Sequence, residues 1–75
     1  MLGAAAVVHS DPDILGGTTV FRGTRVPFWN LIDYLERGHT VDEFLDDFPT
    51  VTRDQVISSL EAAHEALTVR ARSAR

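Results

Sequence analysis

The chain contains no cysteine, and every one of its seven basic residues is an arginine. Without cysteine there is no disulfide scaffold, and the three histidines, His9, His39 and His64, stand too far apart for the ligand spacing of a structural zinc site. No hydrophobic run approaches the length of a membrane span. The apolar stretch 2–8 is short, follows no Lys or Arg, and lacks the parts of a secretory leader, so the default expectation is a cytoplasmic protein. Catalytic motifs are missing as well. No Ser/His/Asp or Cys/His set stands at a motif spacing, no Gly-x-x-x-x-Gly-Lys phosphate loop is present, and 75 residues leave little room for a cleft. His64, between Glu61 and Glu65, reads as a packing residue rather than a base. The expectation is a protein that is not an enzyme, with no catalytic residue, cofactor, metal, small-molecule substrate or membrane partner.

What is present begins with a small core. A single domain of 75 residues seldom gains more than roughly 3–5 kcal/mol from its core alone. With disulfides and zinc excluded, oligomerisation is the remaining support, and a homodimer is its simplest form. Charge is unevenly spread. Arg22, Arg25, Arg37 and Arg53 share residues 1–69 with all eleven acids, whereas Arg70, Arg72 and Arg75 close the chain. An acidic body with a basic tail implies two different contact surfaces.

The densest information lies in Asp11-Pro12-Asp13-Ile14-Leu15-Gly16-Gly17-Thr18-Thr19-Val20-Phe21-Arg22-Gly23-Thr24-Arg25-Val26-Pro27. Asp11 before Pro12 starts a turn through an Asx cap, and Gly16-Gly17 ends it. The β-branched and aromatic residues 18–22 suit a strand. Gly23-Thr24 reverses the chain into a short return arm at Arg25-Val26, and Pro27 closes that arm and opens a helix. Upstream, Val7-Val8-His9 is the natural strand partner for Val20-Phe21-Arg22. So few strand residues do not stand alone in water, which predicts completion of the sheet across two chains.

Three helices follow. The first, over about 27–37, places Phe28, Leu31, Ile32 and Leu35 on one stripe, with Gly38 as its C′ residue. Thr40-Val41-Asp42-Glu43 is a capping box for a second helix whose apolar face is Val41, Phe44, Leu45 and Phe48. Pro49 stops it. Thr52-Arg53-Asp54-Gln55 caps a third helix reaching about Val69, with Val56, Leu60, Ala63 and Leu67 as its stripe. The expected fold is α+β and mainly α: a short N-terminal β element and a three-helix, homeodomain-like helix-turn-helix bundle over 7–69. Residues 1–6 are expected to be flexible and 70–75 to form a basic tail.

The Asp-Pro to Arg-Gly-Thr-Arg-Val-Pro stretch resembles the signature of the domain-of-unknown-function 433 (DUF433) family, Asp-Pro-x-Ile-x-Gly-Gly-x-x-Val-x-Arg-Gly-Thr-Arg-Ile-Pro followed by a small helical bundle. The likeness covers roughly 8–67. Thr18-Thr19 stands where many members carry Lys-Pro or Arg-Pro, and Val26 replaces Ile. The resemblance implies a bacterial type II antitoxin, which binds and neutralises a PIN-like ribonuclease toxin and autoregulates its operon. The alternatives are a stand-alone DNA-binding transcriptional regulator and a non-catalytic dimeric assembly module.

Candidate contact residues follow from position and charge. For DNA, Gln55 and Ser58 at the start of the third helix face outward with Arg53 at their edge, while Arg22 and Arg25 flank a β turn able to enter a groove. Glu61 and Glu65 on the same helix side oppose phosphate, and the bland reading is a solvated face. The arginine pair also has a structural reading, as donors to nearby carbonyls or to Asp11 or Asp13. The second helix carries like-charged i,i+4 pairs, and Asp46 and Asp47 at its C-terminal end oppose the dipole. A basic partner offsets these conflicts, as does Arg53 or Arg37 of the same chain. The candidate toxin contacts are therefore Asp42, Asp46 and Asp47, with Arg70, Arg72 and Arg75 as cations for the acidic metal site of a PIN-like toxin, by analogy with the family. The candidate dimer contacts are Val20, Phe21, Val26, Phe28 and Trp29. Trp29 and Tyr34 flank the stripe of the first helix on opposite sides, so at least one is expected outside the core.

Overall fold

Val8 and His9 form strand β1 (Val8–His9), which pairs antiparallel with β2 (Val20–Phe21) in the register Val8 with Phe21 and His9 with Val20. The structure, a computed structural model, describes residues 7–73. Three helices complete the fold: α1 (Phe28–Glu36), α2 (Val41–Asp47) and α3 (Arg53–Ser73). The chain is thus α+β and mainly α, with the β element at its N-terminal end. The expected flexibility of 1–6 lies outside the described residues, as does Arg75.

The connection between the strands is built from local devices. Asp11 Oδ1 accepts the Asp13 backbone N–H at 2.8 Å, and Asp11 O accepts that of Ile14 at 2.9 Å, the Asx turn anticipated for Asp-Pro. A 3₁₀ turn at Leu15–Gly17 follows. After β2, Phe21 O accepts from Thr24 N at 3.0 Å with Gly23 at φ 80°, the left-handed position that a type II turn requires of its third residue. The return arm then pairs with β2 from the other side, through Phe21 N–H to Val26 O at 2.9 Å and the bridge between Val20 and Pro27. β2 is therefore flanked on both edges within one chain. The expectation that a second chain supplies the missing strand is unnecessary for β2.

Each helix boundary has a cause. Pro27, in extended conformation, precedes α1, and the helix closes with Gly38 at φ 87°. There His39 N–H reaches Tyr34 O at 2.9 Å and Gly38 N–H reaches Leu35 O at 3.1 Å, the paired bonds of a Schellman ending. The capping box at α2 is complete: Thr40 N–H donates to Glu43 Oε1 at 2.8 Å and Glu43 N–H to Thr40 Oγ1 at 3.1 Å. The same reciprocal bonds open α3, between Thr52 and Gln55, at 3.0 and 3.1 Å.

The core is one cluster of Val7, Phe21, Leu31, Phe44, Val51 and Val56, joining the sheet to all three helices. Phe44 lies at its centre, with ring centroids 6.1 Å from Phe21, 5.4 Å from Tyr34 and 4.9 Å from Phe48. This packing corrects the stripe read for α1. Leu31 is buried and Phe28 half-buried, but Ile32 and Leu35 are each 38% exposed. The helix is turned toward α2, so Tyr34 enters the aromatic cluster instead. In α3, Val56 is buried and Leu60 and Ala63 are partly buried, whereas Leu67 is 67% exposed. The helix runs past the body that its first half packs against.

Candidate interaction surface

The two arginines of the signature flank the turn after β2, and both are exposed. The residue between them in space and sequence is the structural one. Thr24 is buried; its Oγ1 donates to Phe21 O at 2.9 Å and accepts the Val26 N–H at 3.0 Å, closing the return arm. Arg22 contributes its backbone to the fold: its N–H donates to Val7 O at 2.8 Å, and its carbonyl accepts from Gln55 Nε2 at 2.9 Å. Sequence reasoning did not single out Thr24. Its signal is the Gly-Thr pair itself, since a hydroxyl directly after a turn glycine can bond the backbone across the turn.

Of the residues proposed to read DNA, Gln55 and Arg53 at the start of α3 are already engaged within the chain. Gln55 spends its carbonyl on the Thr52 cap and its amide nitrogen on the Arg22 carbonyl. The Arg53 guanidinium pairs with Asp42 of α2. Ser58 is half-buried. Base readout by Gln55 would break two bonds that hold α3 to its cap and to the β turn.

The acidic face of α2 is also engaged within the chain. Asp42 takes Arg53, and Glu43 takes the Thr40 cap and His39, whose Nδ1 is 3.6 Å away. The Tyr34 hydroxyl donates to Asp47 Oδ2 at 2.6 Å. That bond raises the Tyr34 pKa above the ordinary phenol value, since ionisation would place two negative charges together. The Thr40 backbone N–H, bonded to its carboxylate, holds Glu43 below the ordinary glutamate range. Arg37 pairs with Asp33 at 3.2 Å rather than with α2. Asp46 is exposed. Of the like-charge conflicts read from the sequence, those at Asp42 and Asp47 thus meet partners in the same chain.

The dimer residues read from the sequence separate into two groups. Val20 and Phe21 are fully buried in the chain's own core and offer no side chain to a second subunit. Val26 is half-buried. Phe28, also half-buried, lines a groove of ≈ 180 Å³ whose other wall is Ser59, Ala62 and Ala66 of α3. Trp29 is 59% exposed, with Ile32 one turn along the same face. Beyond the body, α3 carries exposed Arg70 and Arg72. Among the described residues, no group of three or more His, Asp or Glu could hold a metal ion. No helix there is long and apolar enough to cross a membrane.

A small sheet with a Gly-Gly-turn entry and an Arg-Gly-Thr-Arg return arm, seated on three helices, defines a small α+β domain with capped helices and uncovered apolar faces. The chain belongs to the family described as protein of unknown function, DUF433, whose sequence profile matches residues 8–62. It is 39% identical over 70 residues to protein y4eO of Sinorhizobium fredii (strain NBRC 101917 / NGR234), a match covering 92% of this chain and 32% of that protein. The chain therefore spans about a third of the length of that relative. The crystal structure of a DUF433 member from Anabaena variabilis ATCC 29413 is similar in fold, with a TM-score of 0.69 at 24% identity, covering 91% of this chain and 67% of that one.

Proposed function

We propose that this chain is the antitoxin of a type II toxin–antitoxin pair: a cytoplasmic, non-catalytic protein that binds and neutralises a PIN-like ribonuclease and, with it, represses their operon. The observation that carries the binding role is Trp29. Its indole is 59% exposed on a helix whose opposite side, through Leu31, is locked into the core. An aromatic held on a rigid element offers a large contact area at low entropic cost, which is the character of an interface anchor. Ile32 and Leu35 extend the apolar area. Arg70 stands one helical turn beyond Ala66, which lines the groove beside Phe28. It supplies the cation for an acidic metal site in the toxin.

The test is co-expression of the adjacent gene, scored for toxicity alone and for rescue by this chain. Trp29→Ala and Arg70→Ala are expected to abolish or weaken rescue while leaving the helical circular-dichroism signal unchanged. A neighbour that is harmless by itself would sink the proposal. Binding of the isolated chain to its own promoter DNA, falling steeply with salt, would favour the stand-alone regulator instead.

A further inference from the structure

The exposed part of α3 carries a pattern that the fold does not use. Ile57, Leu60, His64, Leu67 and Ala71 recur at alternating spacings of three and four, the seam of a two-helix coiled coil. Leu60 partly packs on the core, but Ile57 is 45% and Leu67 67% exposed. Beside this seam, Glu61, Glu65, Thr68 and Arg72 form one flank, and most of both rows line a single open depression along the helix.

The charges on that flank are segregated: acids in the first half, an arginine in the second. None of their separations is three or four residues between opposite signs, so Glu61 and Glu65 have no arginine within reach on their own helix. The ion pairs among the described residues join Arg37 to Asp33, His39 to Glu43 and Arg53 to Asp42, and none includes Glu61, Glu65 or Arg72. In a parallel two-fold pair this flank would face the Val56–Ala63–Arg70 side of the other helix, where Glu61 meets no arginine at its own level. An antiparallel copy sets each Glu61 against Arg72 of the other.

We propose that α3 is the subunit interface of a homodimer in which two copies pair antiparallel along the Ile57–Leu60–His64–Leu67–Ala71 seam, with Glu61 of each copy bound to Arg72 of the other. The two-fold axis crosses the helices near residue 66. Leu67 then meets His64 of the second copy, and Leu60 meets its Ala71. The arrangement is isologous, as a closed dimer requires. It also accounts for the length of α3, because the half that overruns one body covers the Leu60–His64 face of the other. The proposal does not rest on the antitoxin reading.

Analytical ultracentrifugation of the full chain, with circular dichroism as the folding control, tests it. The wild type is expected to dimerise, and Leu67→Asp to be a folded monomer. Glu61→Arg and Arg72→Glu are each expected to weaken dimerisation about tenfold, since symmetry counts each change twice and sets like charges together. The Glu61→Arg/Arg72→Glu double variant is expected to regain the wild-type association. A wild type that stays monomeric, a dimer indifferent to Leu67→Asp, or a double variant as weak as the singles would each overturn the proposal. The charge-reversal set decides the matter even if Leu67→Asp fails to fold, because both charges are exposed.

Discussion

At the scale of single residues, Thr24 shows how a signature can be structural without being a site. Its hydroxyl both donates to Phe21 O and accepts the Val26 N–H, so one side chain holds the return arm against β2. Thr24→Val keeps the shape but leaves the half-buried Val26 N–H without its acceptor, a loss of about 1 kcal/mol. Urea denaturation is expected to show that loss, with Thr24→Ser much closer to wild type. The neighbouring arginines differ in kind: Arg22 is tied into the fold by its backbone, through Val7 and Gln55. Substituting the Arg22 side chain leaves those backbone bonds in place, whereas Gln55→Ala removes both its cap bond and its link to the turn.

At the scale of elements, α2 is the clearest case of local chemistry setting a boundary. A helix of seven residues is too short to persist alone. Its start is secured by the Thr40–Glu43 box, and its acids at either end meet Arg53 and Tyr34 from neighbouring helices. Because the Thr40 N–H lowers the Glu43 pKa in the folded state, the carboxylate stabilises the fold above the ordinary glutamate range. That contribution is lost as pH falls through the lowered value. The melting temperature is accordingly expected to drop on acidification, and Glu43→Gln to lower it at neutral pH while reducing its acid dependence. An unchanged acid profile in Glu43→Gln would show that other carboxylates govern the transition.

At the scale of the whole molecule, one aromatic residue joins the layers. Phe44 touches Phe21, Tyr34 and Phe48 and is fully buried, so Phe44→Ala is expected to cost about 3–5 kcal/mol. In a domain of this size that is most of the available stability, and thermal melting is expected to show a largely unfolded chain at room temperature. The turns, both capping boxes and the Gly38 ending were legible in the sequence because each depends on residues within about five positions of one another. The burial of Phe44 and Val56 was legible from periodicity. The rotation of α1 was not: Ile32 and Leu35 share the helical spacing of Leu31, and only the position of α2 decides that Tyr34 packs on Phe44 while they stay exposed. Nor could the sequence show that Gln55 would bond a carbonyl 33 residues away, or that Arg53 would be taken by Asp42. By itself, then, the sequence determined the elements, their caps and the family. The tertiary structure decided which faces were left uncovered. It buried Val20 and Phe21, engaged most of the acidic face of α2, and left Trp29 and the far half of α3 open, because those outcomes depend on how the helices are set against one another.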